Sequence, residues 1–349
     1  MSSDPSPKRL KRGNEEISSD SYAANSNVDS PAYSRGELWF DDGNIILIAE
    51  RTGFRVHKSI LSWCSEVFRD MFPVPQPVDA EMWGDCPVVH LSDTKQDVER
   101  MLTMLFTKST SGFGEVLPFV TVSTMIRLGS KYQIDHILQD AIYRLKKCFP
   151  VQLEAFRNSY TTTPAGHRLP PNPFAGLPIH ITLGDIIPVI NLCRTHQFPS
   201  VLPSAFYLAA GCTSQILVHG SKDADGIRST LSSDDIVRVL EGRSKLHHSA
   251  AMAFHPAMSS TLSPLCTNRA ACISSLEFVV KIKLYERVTQ GHPILPLRTP
   301  RPLQKWGICN SCSEHHASIW LENRKTVWAK LPEIFDLEVP EWGLPVAQQ

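Results

Sequence analysis

Two cysteines in Cys309-Asn310-Ser311-Cys312 have the short spacing that lets two thiolates grip one metal ion. Cys266 and Cys272 lie upstream in CTNRAAC, six positions apart, and 36 residues separate the two pairs. Together the four could form a Cys₄ zinc site. It would tie together residues 256–325, which carry few long apolar stripes. His315 and His316 stand close enough in sequence to replace one thiolate. The alternative is that these cysteines are small apolar fillers or incidental exposed thiols, since Cys-x5-Cys is not a standard knuckle. A redox role would require a thioredoxin-like βαβ context, which is missing.

Catalytic motifs are absent. There is no Gly-x-Ser-x-Gly elbow, His-Glu-x-x-His pair, phosphate loop or dinucleotide fingerprint, and Gly112-Phe113-Gly114 is only half a glycine fingerprint. His57 sits at a strand-to-helix junction where an imidazole can hydrogen-bond nearby backbone. No cysteine, serine or carboxylate accompanies it in its motif, so its expected role is structural. The chain does not read as an enzyme.

Composition sets further bounds. A chain of 349 residues has room for about two domains with their own cores. Lys+Arg and Asp+Glu balance at 35 each, so no whole-chain field favours nucleic acid or a membrane surface. No apolar run reaches the roughly 18 residues that a membrane helix needs. The polar N-terminus lacks a signal-peptide core, and nine cysteines without such a signal imply reduced thiols. A cytoplasmic or nuclear protein is expected.

The elements that must position any site begin with a hairpin. Ile45-Ile46-Leu47-Ile48 and Phe54-Arg55-Val56 flank Arg51-Thr52-Gly53, a turn-competent segment. From Lys58 the period changes, and Ile60, Leu61, Cys64, Val67, Phe68 and Met71 fall on one helical stripe. Residues 73–85 read as a Pro-rich loop, too broken for regular structure. Residues 87–91 follow as a short strand, then Ser92 and Asp93 as helix caps before Val98, Met101, Leu102, Leu105 and Phe106. Residues 116–149 repeat the helical stripe twice, through Met125, Ile126 and Leu128 and then Ile134 to Leu145.

This ordered set resembles the BTB/POZ domain. It comprises Asp41-Asp42, the hairpin, Val56-His57-Lys58, Ser65 with Phe68 and Met71, Pro75-Gln76-Pro77, Leu91-x-Asp93, and Lys131-Tyr132-Gln133-Ile134. The resemblance covers 36–149. The Pro-Gln-Pro loop is similar to that of BTB proteins abundant in mushroom-forming fungi. So are "Leu-Pro-x-Ala-x-Tyr", "Leu-Ser-x-x-Asp", the Cys-x-x-Cys and the Trp-x-x-Leu-Pro ending further on. The 107–115 linker, TKSTSGFGE, departs from the many members that carry a further strand there.

The fold implied is α+β, a small sheet flanked by helices, followed by a mostly helical C-terminal region. The resemblance implies a non-enzymatic protein–protein interaction adaptor that dimerises with itself or a related chain. The first helix and the strand before it would make the contact, here Leu38, Phe40, His57, Ile60, Leu61, Cys64, Phe68 and Met71. Its runner-up is a substrate adaptor on a cullin scaffold, using the surface near Pro73 to Met82 and the helix from Asp97. A nuclear transcription regulator is the third reading, without a DNA-reading motif.

Residues 1–34 are polar and expected to be disordered, with a basic cluster at Lys8, Arg9, Lys11 and Arg12 that fits a short nuclear-import signal or a solvated tail. Residues 150–178 read as a linker with at most a short helix near Leu153–Phe156. Three helical stretches are expected over 179–255: Ile186 to Cys193, Pro203 to Ala210, and one from Ser232 with Asp235 in capping-box spacing. Residues 256–349 form the Cys-containing segment. At its end Val327, Trp328, Leu331, Ile334 and Phe335 should dock on a core.

Overall fold

The computed structural model describes residues 33–75, 80–106, 115–160, 176–258, 261–289, 297, 303–340 and 342. The expected disordered tail up to residue 32, its basic cluster, Gln76-Pro77 and Gly112-Phe113-Gly114 lie outside the described residues.

β1 (Ser34–Trp39), β2 (Ile45–Ala49) and β3 (Thr52–Val56) are followed by α1 (Lys58–Cys64) and α2 (Glu66–Met71). β4 (Met82–Trp83) and β5 (Cys86–Leu91) complete a five-stranded sheet in the order β1-β3-β2-β5-β4. β2 lies at its centre, antiparallel to β3 and parallel to β5. That placement explains its unbroken apolar run. Ile45, Leu47 and Ala49 enter the main core, whereas Ile46 and Ile48 face a second cluster with Cys86, under Tyr33, Trp39 and Trp83.

The hairpin turn is Glu50-Arg51, with Glu50 in the left-handed region at φ 56°. Gly53, expected in the turn, lies inside β3 instead. A β-carbon there would collide with the Trp83 ring, so the glycine permits a close approach across the sheet. Residues 73–85, expected to be irregular throughout, contribute β4, which carries that tryptophan.

The helical stripe from Lys58 breaks at Ser65, which is extended at φ −133° and ψ 125°. Its hydroxyl donates to the Tyr132 carbonyl at 2.5 Å and accepts from the Phe68 amide, so it caps α2. α3 (Lys95–Phe106) starts one residue later than a cap at Asp93 and two later than a cap at Ser92 would give, and Thr94 Oγ1 accepts from the Asp97 amide. Ser92 and Asp93 bind Lys131 instead, and Asp93 also accepts from the Tyr132 hydroxyl.

β6 (Leu117–Pro118), α4 (Phe119–Tyr132) and α5 (Asp135–Cys148) follow, with Gln133 left-handed at the junction, φ 51°. α6 (Leu153–Tyr160) is longer than the expected short helix, and β7 (Ile179–His180) pairs with β6 in parallel. Arg144, 1% exposed, donates to the Glu115 and Pro178 carbonyls and pairs with Asp140, holding this junction from α5. The region expected to be helical from residue 179 thus opens with a packed strand, directly after the expected linker.

α7 (Ile186–Thr195), α8 (Leu202–Ala209) and α10 (Ser233–Met258) form on the three expected stretches. The unanticipated α9 (Ser214–His219) and the hairpin β8 (Ser221–Lys222) and β9 (Arg228–Ser229) lie between the last two. Ser232 Oγ accepts from the Asp235 amide, while the Asp235 carboxylate binds Arg194 and Arg238. α10 runs on past Gly242, where a β-carbon would meet the Phe335 ring. α11 (Arg269–Thr289), α12 (Asn310–Ala329) and α13 (Leu331–Ile334) end the regular structure. Val327, Trp328, Leu331, Ile334 and Phe335 are all buried in the main core. That core is continuous from the sheet through α4, α5, α7 and α8. No described helix is long and apolar enough to cross a membrane.

Candidate interaction surface and cysteine cluster

Two places concentrate the chemistry singled out from the sequence. The first is the face formed by α1, α2 and β1. Within its apolar stripe, Leu61 and Phe68 are fully buried, and the Phe68 ring stacks on Tyr132 at 4.9 Å. Ile60, Cys64, Val67 and Met71 are half-buried, and Cys64, Val67 and Met71 pack on the core from its margin. Leu61 and Phe68, expected to share in an interaction, are spent on the interior.

Leu38 and Phe40 are half-buried on and just after β1. β1 is an edge strand, paired with β3 on one side only. Phe40 meets the His57 ring at 5.2 Å and the Phe106 ring at 5.5 Å. His57 does have a carboxylate partner: Asp42 Oδ1 lies 3.1 Å from Nε2, brought in by the turn before β2. The motif around His57 contains no such group, because the partner comes from 15 positions upstream.

The residue that sequence reasoning missed is Trp63. It is 91% exposed on α1, on the side away from Leu61. Its signal was available as a large aromatic on the otherwise polar side of an amphipathic helix. Solvated helix faces do not ordinarily carry such a group.

Asp97, on α3, anchors the helices behind this face. Its carboxylate accepts both Arg127 guanidinium nitrogens at 2.8 Å and the Thr124 hydroxyl at 2.6 Å. Burial pushes its pKa up, but those hydrogen bonds outweigh it and hold the group below the usual carboxylate range.

The second place is the cysteine cluster. Cys266, Cys272, Cys309 and Cys312 come together with their four sulfurs all within 4.8 Å of one another. Cys272 sits one turn into α11, whose first turn is capped by the Asn268 side chain. Cys309 is the N-cap of α12 and Cys312 lies in its first turn, with Gly307 left-handed just before them at φ 79°. Cys266 is in the turn leading to α11. Cys272 and Cys312 are fully buried and pack with Leu276 and Ile308 in a small core of their own.

Backbone amides point at the sulfurs. The Cys309 N–H donates to Cys272 Sγ at 3.3 Å. The amides of Cys312 and Thr267 hold the Cys309 thiolate, bringing its pKa down to about 6. Burial pushes Cys312 the other way, up to about 12. The cysteines are free thiols. His315 and His316 are not part of the group, which among the described residues consists of the four cysteines alone.

Comparison with known proteins bears on the first place. Residues 41–148 match the family model of the BTB/POZ domain. A search of curated proteins found no match. The match spans β2 to β5 of the sheet with α1 to α5, and the mostly helical C-terminal region follows it. Residues 41–148 are a BTB/POZ domain, a protein–protein interaction module, and this chain is a BTB domain-containing protein.

Proposed function

We propose that the chain is a non-enzymatic adaptor that pairs with a second copy of itself through α1 and the outer edge of β1. The observation that carries this is Trp63. An indole 91% exposed on a folded helix leaves a large apolar area in water, which burial against a partner would recover. Tryptophan is also among the residues that most often dominate interface energies. The open edge of β1 offers further backbone groups for pairing. A two-fold arrangement would place Trp63 of both copies in one self-complementary patch.

The test uses two differently tagged copies of the full chain, co-expressed and captured through one tag. Recovery of the other copy is expected, and Trp63→Asp should abolish it while leaving the circular-dichroism spectrum unchanged. Undiminished recovery with the substituted chain would remove α1 from the interface.

A further inference from the structure

We propose that Cys266, Cys272, Cys309 and Cys312 bind one Zn²⁺ as a closed, four-thiolate structural site. The geometry carries the inference. Zinc–thiolate bonds of about 2.3 Å in a tetrahedron place sulfurs about 3.8 Å apart. Cys309 Sγ and Cys266 Sγ are 3.9 Å apart, and all four sulfurs lie within 4.8 Å of one another. Thiols acting only as apolar fillers have no reason to converge on one point from two sequence segments.

The surroundings suit a thiolate–metal centre rather than a greasy pocket. Cys309 caps α12, Cys312 lies in its first turn and Cys272 lies near the start of α11, so two helix N-termini direct partial positive charge at the sulfurs. The N–H···S bond from Cys309 to Cys272 is the kind of outer support that disperses negative charge from coordinated sulfur. Leu276 and Ile308 cover the buried pair of cysteines.

Four protein ligands fill a tetrahedron, so no position remains for water or substrate. The role is structural. It also explains why a core that among the described residues has only four buried apolar members, Cys272 and Cys312 included, can hold the start of α11 to the start of α12. Binding exchanges thiol protons for the metal, so occupancy falls as pH falls.

The full chain, purified under reducing conditions without chelator, should contain about one zinc per molecule by elemental analysis. Cys309→Ser and Cys272→Ser should lose most of it, and Cys64→Ser should keep it. Because a substituted chain can fail to fold, the unsubstituted protein supplies a second readout. After zinc removal, titration with Co²⁺ alone should give the ligand-field and sulfur charge-transfer bands of a tetrahedral thiolate centre, saturating at one ion per chain. Folded protein that takes up neither ion, or mass spectra showing these cysteines as two disulfides after air-free purification, would overturn the proposal.

Discussion

The region around the central strand β2 and the region around the four cysteines are held together by different means. β2 is buried on both faces, and every residue from Ile45 to Ala49 is within 1% of complete burial. Its stability comes from apolar area spread over many contacts. Among the described residues the cysteine region has a buried apolar cluster of only four residues. Its distinguishing feature is one point where four sulfurs from two distant segments lie within 4.8 Å of one another. Under the zinc proposal one region is ordered by amount of core and the other by placement of a few ligands, and the two would respond to different insults.

The largest effect should separate them directly. Metal binding contributes on the order of 10 kcal/mol to small thiolate-held folds. Chelation should thus raise amide exchange at the starts of α11 and α12 while β2 and β3 stay protected. Simultaneous loss of protection in both would merge the two regions into one cooperative unit.

The next effect belongs to the sheet region. Leu61→Ala should cost about 2–5 kcal/mol in denaturant unfolding, because Leu61 is fully buried between α1 and the core. Trp63→Ala, two residues away, should change unfolding of the isolated chain by no more than about 0.5 kcal/mol. Equal costs would contradict the division of α1 into a core side and a free side.

Electrostatics provide a smaller handle. The Asp97 pKa is depressed in the folded state, so its contribution is complete above its unfolded value of about 3.9 and is lost as pH falls through the folded value. Asp97→Asn should destabilise the chain by about 1–3 kcal/mol at neutral pH. The gap should narrow in acid below about pH 4, measured by unfolding at several pH values. A gap independent of pH would assign the cost to packing.

The smallest concerns the tail. Replacing Lys8, Arg9, Lys11 and Arg12 by Ala should shift a fluorescent fusion from nucleus toward cytoplasm without changing stability. An unchanged distribution would leave the cluster as a solvated charge.

The hairpin, the apolar stripes, the helix cap at Ser232 and the first-turn proline Pro203 were legible because each depends on neighbours a few residues away. So was the grouping of the four cysteines, whose spacing suggested one site and whose sulfurs do lie within 4.8 Å of one another. What escaped depends on distant partners. The break at Ser65 is set by the Tyr132 carbonyl, 67 positions on. Gly53 is explained by Trp83 across the sheet, and the role of Arg144 by carbonyls at 115 and 178. Trp63 was visible in the sequence but falls outside the apolar stripe of its helix.

Sedimentation equilibrium of the unmodified full chain tests self-association most directly. The account predicts a mass of twice the 39.0 kDa chain at micromolar concentrations, falling to one chain with Trp63→Asp. A single-chain mass for the unmodified protein across that range would contradict it.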